Sequence, residues 1–310
     1  MSRDAKQNTP PVTATPDAER HVPVDVPLDL LRTFRTLSPS CPTFAKTPDG
    51  LWRAARFDDK PATLLVTQTV EGVRGRAWGP GAEMAIAKLE DLLGLRDNAE
   101  DFAPQHDVLR DAHKTDRGVR LGRGWPVMAT LVRVICGQKV TSVEAQRSWR
   151  SLCYSLGEPA PGPHPGLRLA AHPKVLAGIP EYGYRPHGID RQRAEVILRA
   201  CQVAHRLRKV AAMPALDAAK FLVKVRGIGP WTAWGTVECT HGHADGVLIG
   251  DYHIPNLVSW ALAGEPRGDD ARMIALLEPY RGHRMRVVRL LERTVGHAPR
   301  YGPRRTIVPH

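Results

Sequence analysis

The spacing of apolar residues changes along the chain, from short strand-like runs to helical repeats. Near the beginning, HVPVDV (residues 21–26) alternates like a strand, and PLDLLRTFRTL repeats apolar residues at helical spacing. Turn sequences then separate four more strand-like runs, which are PTFAK, LWRAARF, ATLLVTQTV and VRGRAWG, and a helical pattern follows in EMAIAKLEDLLGL. This β–α–β–β–β–β–α order predicts an α+β domain on an antiparallel sheet.

After about Phe102 the strand patterns end and helical patterns take over. The segment VMATLVRVIC predicts one helix, which a short break at residues 137–140 separates from the next. Thr141 and Glu144 have the spacing of a capping box, so we expect the second helix to begin there. Further helical patterns follow a proline-rich loop, GEPAPGPHPGLR, and they predict an all-α domain.

The predicted organisation is therefore an N-terminal α+β domain over residues 21–104 and a helical domain over residues 105–300. Residues 1–20 are polar and contain three prolines, so we expect them to form a flexible tail. Residues 301–310 are predicted to form a basic tail.

A glycine-rich turn within the helical part is the most informative local pattern. The short amphipathic helix DAAKFLVKV ends at Arg226-Gly-Ile-Gly-Pro230, and Trp231-Thr-Ala-Trp begins another helix. Gly227 and Gly229 allow positive φ or close backbone approach, and Pro230 suits the first helical position. The unpaired N–H groups of the second helix would suit a phosphate. An ordinary helix–helix turn, with glycines needed only for geometry, is the alternative interpretation.

Asp251 follows this turn by about twenty residues, in the segment GDYHIPN before the helical pattern LVSWALAG. One interpretation is that it caps the helix that follows. The other is that its carboxylate acts as a catalytic base, because a glycine-rich loop connects it to a turn that is suited to bind phosphate.

The charge balance favours a polyanionic partner. The 310 residues include 44 Lys and Arg against 32 Asp and Glu, for a net charge of +12 with neutral histidines. Nucleic acid is the first expectation, an acidic membrane surface the second, and a merely basic enzyme the third. We expect no secretory signal and no membrane span, because no apolar run approaches ~20 residues.

The five cysteines indicate reduced thiols rather than disulfides, and the absence of a CxxC pattern argues against an iron–sulfur or thiolate zinc site. Cys239, His241, His243 and Asp245 alternate as potential metal ligands. A metal site there is disfavoured, because residues two apart on a helix point away from each other.

Three segments, GQKVTSVEA, VRGIGPWTA and GDYHIPN, together resemble the helix–hairpin–helix (HhH-GPD) DNA glycosylase superfamily, and most of all its AlkA-like 3-methyladenine DNA glycosylase II branch. The resemblance extends from about His21 to Leu291. It implies a hydrolase of base excision repair. Such an enzyme is expected to be a monomer and to lie in the cytoplasm, associated with the nucleoid. Such an enzyme binds double-stranded DNA containing a damaged base, grips the strand with the hairpin and flips the base into a pocket.

The resemblance assigns the chemistry to Asp251, whose carboxylate would stabilise the positive charge that develops on the sugar C1′ as the base departs. Members that also cut the strand carry a Schiff-base lysine where this chain has Trp231, so we expect a monofunctional enzyme without lyase activity.

The same resemblance implies a base pocket formed by Trp231, Trp234, Tyr252 and Arg289. An aromatic residue of the family is replaced by Gly235, and a stacking tryptophan by Arg289, whose charge would disfavour a cationic 3-methyladenine. A glycosylase for an oxidised or deaminated base therefore stays open. Another open alternative is a protein without catalytic activity that binds particular DNA structures. Such a protein has no need of a carboxylate near the anionic strand.

Contacts to DNA are implied for six residues of the two turns, which are Gln138, Lys139, Gly227, Ile228, Gly229 and Thr232. Gln138 would reach the gap left by the flipped base, and Thr232 matches a phosphate-contacting position. At position 139 the family has an apolar residue that wedges into the minor groove, and this chain has Lys139 instead. Whether Lys139 acts as a wedge is therefore left open.

The carbonyls of Val223, Val225 and Gly227 match those that hold Na⁺ or K⁺ in this hairpin; no other cofactor is implied. In the final helical pattern, Arg286, Arg289 and Arg293 share one face, which predicts either a solvated stripe or a surface that faces DNA.

Overall fold

The protein is described from a computed structural model, which covers residues 14–34 and 41–299. Strands and helices are both present, and the strands form one antiparallel sheet in the order β1-β5-β4-β3-β2. The strands are β1 (Ala18–Pro23), β2 (Phe44–Thr47), β3 (Gly50–Phe57), β4 (Lys60–Thr69) and β5 (Gly72–Trp78). The α+β class and the antiparallel sheet predicted from the sequence are confirmed.

Strand β1 begins earlier than the sequence pattern predicted. It pairs with β5 from Ala18 opposite Ala77 to Pro23 opposite Gly72. Its first three residues therefore lie in the segment expected to be a tail, where alternation is hard to see because an edge strand leaves most of its side chains in solvent. The rest of that segment up to residue 13, and the C-terminal tail with residue 300, fall outside the described residues.

Most helices follow the sheet in the chain. Those described are α1 (Leu30–Phe34), α2 (Ala82–Ala87), α3 (Leu89–Leu92), α4 (Asp107–Thr115), α5 (Val127–Cys136), α6 (Ser142–Leu156), α7 (Pro173–Ala177), α8 (Arg191–Gln202), α9 (Ala204–Leu207), α10 (Ala215–Leu222), α11 (Pro230–His241), α12 (Ile254–Ala263), α13 (Asp270–Leu277) and α14 (Arg284–Thr294). Short 3₁₀ helices lie at Ala99–Asp101, Glu181–His187, Arg208–Ala212 and Glu278–Tyr280. None of these helices is long and apolar enough to cross a membrane.

The capping box predicted at the start of α6 is present. The Thr141 hydroxyl accepts a hydrogen bond from the Glu144 N–H at 3.3 Å, and the Glu144 carboxylate accepts one from the Thr141 N–H at 2.8 Å. Two N–H groups at the helix start are thereby satisfied locally, so the break at residues 137–140 ends at a fixed point.

Helix α11 lies between two apolar cores. Its Ala233 and Val237 belong to a core that joins one face of the sheet to α5 and α8. Trp231 packs instead against a second core, which is formed by α4, α12, α13 and α14, and Trp234 packs against both cores. Because both sides of α11 are packed, the start of this helix is held in place, and the candidate site lies there.

Candidate functional site

The turn between α10 and α11 is a tight hairpin, as the sequence predicted. Gly227 has φ +96°, and a Cβ there would lie 2.3 Å from Cγ2 of Val196. Ile228 is buried, and its N–H donates to the Val225 carbonyl at 2.9 Å. Pro230 is the first residue of α11. The chain can therefore turn here only because a glycine occupies position 227.

Gly229 has no such requirement within the protein. Its φ is −89°, which any residue can adopt, and no atom lies within 4 Å of the place where a Cβ would be. The residue is exposed and precedes the first N–H groups of α11. The missing side chain therefore leaves the start of α11 open to a molecule from outside.

Asp251 is held by both of its carboxylate oxygens. Oδ1 accepts hydrogen bonds from the backbone N–H groups of His253 and Ile254, at 2.7 and 2.9 Å, where α12 begins. Oδ2 accepts one from the indole Nε1–H of Trp231 at 2.8 Å. The side chain is half-buried. Asp251 thus caps the start of α12, and it also presents a fixed carboxylate beside the hairpin.

Trp231 connects Asp251 to the break between α5 and α6. A Cβ on Gly137 would lie 3.3 Å from Cη2 of Trp231, at the far edge of the indole from Nε1. The ring also packs against the second core. Trp231 therefore has a packing role, while stacking on a flipped base stays a prediction.

Gln138 is bonded to the hairpin. Its Nε2–H groups donate to the Gly227 carbonyl at 3.0 Å and to the Thr232 hydroxyl at 2.8 Å. Thr232 is only 2 % exposed, so its hydroxyl lies beneath the surface that a phosphate would approach. Lys139 is exposed and has φ +57°, a left-handed conformation that is uncommon for lysine. The DNA contacts inferred for Gln138, Lys139 and Thr232 stay predictions.

Of the four predicted pocket residues, Trp234 and Arg289 have their partners away from Asp251. The ring of Trp234 stacks on His243, with centroids 5.3 Å apart and planes at 16°. Tyr252 is 83 % exposed and meets the ring of its neighbour His253 edge-on. No hydrogen bond, ion pair or ring contact in residues 14–34 and 41–299 joins Trp234 or Arg289 to Asp251.

Arg289, predicted as a cation of the base pocket, is paired with two carboxylates. Its guanidinium forms ion pairs with Glu238 on α11 and with Glu292 on its own helix. Burial disfavours the charged guanidinium, but the two carboxylates outweigh burial and raise the pKa of Arg289 above its usual value. Two negative charges therefore compensate this positive one, and the effect of Arg289 on a cationic base stays a prediction.

The basic stripe of α14 is likewise an internal set of ion pairs. Besides Arg289, Arg286 pairs with Asp97 and Arg293 pairs with Asp116. Arg286 is only 5 % exposed. Arg286 therefore fits neither a solvated nor a DNA-facing stripe, whereas Arg293 is exposed although it is paired with Asp116. All three arginines connect α14 to preceding elements of the chain, and a DNA-facing role for the exposed Arg293 stays a prediction.

A cavity of about 300 Å³ lies near the C-terminal end of α11. Its lining includes Asp91, Arg96, Arg123, His241, His243 and His283, and it includes none of the predicted pocket residues. Within the described residues, no group of three or more His, Cys, Asp or Glu side chains could hold a metal ion.

Comparison with known proteins places this geometry in a known fold. No protein-family model matches the sequence, and no curated protein matches it. Among solved structures, a 3-methyladenine DNA glycosylase from Archaeoglobus fulgidus superposes with a TM-score of 0.71 at 18 % identity, over 88 % of this chain and 97 % of the other. The chain has the fold of helix–hairpin–helix DNA glycosylases.

A second solved structure gives nearly the same agreement. The Clostridium acetobutylicum 8-oxoguanine glycosylase/lyase, in complex with double-stranded DNA that contains cytosine opposite 8-oxoG, superposes with a TM-score of 0.69 at 12 % identity. The match covers 87 % of this chain and 93 % of that one. At these identities the similarity shows the DNA glycosylase fold, which the sequence motifs had indicated.

Sequence reasoning missed two partners of the site residues. Gly137 lies against Trp231, and Glu238 pairs with Arg289. These contacts join residues 94 and 51 positions apart, and neither has a local pattern that could have revealed it.

Proposed function

We propose that the protein is a monofunctional DNA glycosylase of base excision repair, which flips a damaged base out of double-stranded DNA and hydrolyses its N-glycosidic bond. The observation that carries the proposal is the fixed carboxylate of Asp251 beside the hairpin. This carboxylate accepts two backbone N–H groups at the start of α12 and the indole N–H of Trp231.

The carboxylate suits the charge that the reaction develops. As the base leaves, C1′ of the sugar becomes positive, and a preorganised anion beside it lowers the barrier more than a mobile one would. Oδ1 is occupied by two N–H groups, whereas Oδ2 accepts one and keeps a lone pair free. The base leaves with the electrons of the glycosidic bond, and water then adds to C1′ and releases one proton to the solvent, which completes the hydrolysis. Trp231 offers no amine for a Schiff base, which supports a hydrolase without lyase activity.

DNA binding is proposed for the open start of α11. The exposed Gly229 would let a phosphate approach the first N–H groups of that helix. The net charge of +12 would attract the polyanion from a distance. We also propose that residues 21–104 and 105–300 act as two domains, and that the protein works as a monomer in the cytoplasm, with the nucleoid.

A monovalent cation at the hairpin is compatible with the carbonyl oxygens. The Val225 carbonyl accepts one hydrogen bond from Ile228, and the Gly227 carbonyl accepts one from Gln138. A carbonyl has two lone pairs, so each keeps one for an ion. Together with Val223, these oxygens would hold Na⁺ or K⁺, whose positive charge would attract a DNA phosphate.

An alkylated base is the proposed substrate, following the resemblance to 3-methyladenine DNA glycosylases. The ion pairs of Arg289 with Glu238 and Glu292 reduce the repulsion that a cationic base would meet, which supports this candidate. An oxidised base is the second candidate, because the fold agrees almost equally well with an 8-oxoguanine glycosylase/lyase.

The decisive experiment measures base excision directly. Duplex oligonucleotides, each with an alkylated purine, 8-oxoguanine, uracil or hypoxanthine, are incubated with the protein and then treated with alkali to cut abasic sites. We expect excision of the alkylated purine. Asp251→Asn should lower the single-turnover rate on the order of a hundredfold, about 3 kcal/mol, because the anion is lost.

A matched control separates chemistry from helix capping. Asp269 caps α13 through a hydrogen bond from the Arg272 N–H at 2.8 Å, and it has no role in the proposed site. Asp269→Asn should therefore leave the excision rate unchanged. If no duplex of the panel loses a base, or if Asp251→Asn is as fast as the unchanged protein, the catalytically silent DNA binder becomes the better explanation. Strand cleavage without alkali would contradict the monofunctional mechanism.

A further inference from the structure

We infer that Trp231 is a positioning residue for catalysis, whose indole N–H holds Asp251 Oδ2 in the orientation that faces C1′. This inference rests on the proposed function. It gives Trp231 a role that neither base stacking nor the absence of a lysine requires. The bond of 2.8 Å between Trp231 Nε1 and Asp251 Oδ2 is the observation behind it.

The hydrogen bonds of Asp251 divide between its two oxygens. The two N–H groups of α12 both bind Oδ1, so they fix where that oxygen lies. They give Oδ2 no donor, so the carboxylate can still rotate about the Cβ–Cγ bond within the angular tolerance of those two hydrogen bonds. The bond from Trp231 is the second point of attachment, and two points fix the plane of the carboxylate. Without it, Asp251 would remain a helix cap but would sample several orientations.

The indole is itself held so that its N–H points in one direction. Pro230 and the buried Thr232 fix the backbone on either side of Trp231. The six-membered ring of the indole lies next to Gly137. A Cβ added to Gly137 would lie only 3.3 Å from Cη2 of Trp231. The adjacent Gln138 bonds back to Gly227 and Thr232. The ring therefore occupies a slot bounded by Gly137 at one edge and by Asp251 at the other.

The substitution Trp231→Phe tests the inference, because phenylalanine keeps a flat aromatic ring and lacks the N–H. We expect the single-turnover excision rate at saturating enzyme to fall about tenfold, as expected for a reacting group that loses its fixed orientation. The dissociation constant for lesion-containing DNA should change less than twofold. A residue that only stacks on the base or packs the core would instead weaken DNA binding or lower the melting temperature.

Two further measurements keep the test independent of how well phenylalanine packs. Replacing Trp231 by 3-benzothienylalanine keeps the shape of the indole and substitutes sulfur for N–H, and it should give the same loss of rate. In ¹⁵N-labelled protein, one indole N–H resonance should move upfield in Asp251→Asn. Trp260→Phe, which changes an indole of α12 that is 38 % exposed, should leave rate and binding unchanged.

The outcomes separate this inference from the proposed function. If Asp251→Asn is inactive but both Trp231 replacements excise at the original rate, the positioning role is overturned and the glycosylase proposal stands. If no indole resonance responds to Asp251→Asn, the hydrogen bond is absent in solution and the inference also fails. If Asp251→Asn retains full excision, the proposed function itself fails, and the role of Trp231 fails with it.

Discussion

Two glycines of the hairpin, only two residues apart, exist for different physical reasons. Gly227 has a positive φ, and its α-hydrogen faces Val196 of α8, so both its conformation and its surroundings exclude a side chain. Gly229 has an ordinary φ and open space around it. The fold therefore explains the first glycine completely and leaves the second one unexplained. An external molecule that approaches the start of α11 would explain it.

Alanine substitutions should separate these two reasons. Gly227→Ala should lower the free energy of unfolding by about 2 kcal/mol or more, because it combines a left-handed residue with overpacking against Val196. Gly229→Ala should leave the unfolding free energy unchanged and weaken binding to duplex DNA. Urea unfolding and fluorescence anisotropy measure the two quantities. Equal DNA affinity of Gly229→Ala and the unchanged protein would remove the phosphate site from the start of α11.

At this scale the sequence could predict only features formed by residues that are close together in the chain. The capping box joins Thr141 and Glu144, which are only three positions apart, and the turn at Gly227 is specified by its own neighbours. The hydrogen bond between Trp231 and Asp251 joins residues twenty apart. A spacing pattern does not determine such a contact, which depends on how α11 and α12 pack. For the same reason the charge of Arg289 could be seen in the sequence, while its compensation by Glu238 could not.

At the scale of elements, α14 shows why a basic stripe need not face nucleic acid. Its arginines reach residues that lie far earlier in the chain, and the Arg286–Asp97 pair is almost fully buried, with both side chains under 10 % exposed. Charges used in this way hold α14 against the rest of the protein. Exposed cations near the hairpin, such as Lys139, are the ones left for phosphate.

Changing a buried cation should therefore affect stability and leave DNA binding unchanged, and changing an exposed cation should do the reverse. Arg286→Met should destabilise the protein by about 3 kcal/mol or more, because Asp97 would remain buried without its partner. The salt dependence of DNA binding should stay the same. Lys139→Gln should leave stability unchanged and, if Lys139 meets a phosphate, reduce the slope of log K against log salt by about one unit. A changed slope in Arg286→Met would contradict the internal role of α14.

At the scale of the whole molecule, partly buried histidines link folding to pH. Burial is the main cause that lowers the pKa of six histidines below the ordinary 6.5; these are His113, His164, His187, His241, His243 and His283. Three of them line the 300 Å³ cavity. In the folded protein these imidazoles stay neutral at a pH where the unfolded chain already binds protons. The same molecule carries a net charge of +12 before any histidine is protonated, so acid adds further repulsion.

The free energy of unfolding should consequently fall as the pH drops below about 6.5. Below that pH the unfolded state holds more protons than the folded state, so stability is lost progressively until the folded histidines also titrate. Each fully contributing histidine adds at most about 1.4 kcal/mol per pH unit. Urea unfolding at pH 7.5, 6.5, 5.5 and 5.0 measures the slope. His187→Asn, which removes a histidine whose pKa is lowered by burial alone, should make the slope shallower between pH 6.5 and 5.5. A free energy that stays constant from pH 7.5 to 5.0 would show that burial does not keep these histidines neutral.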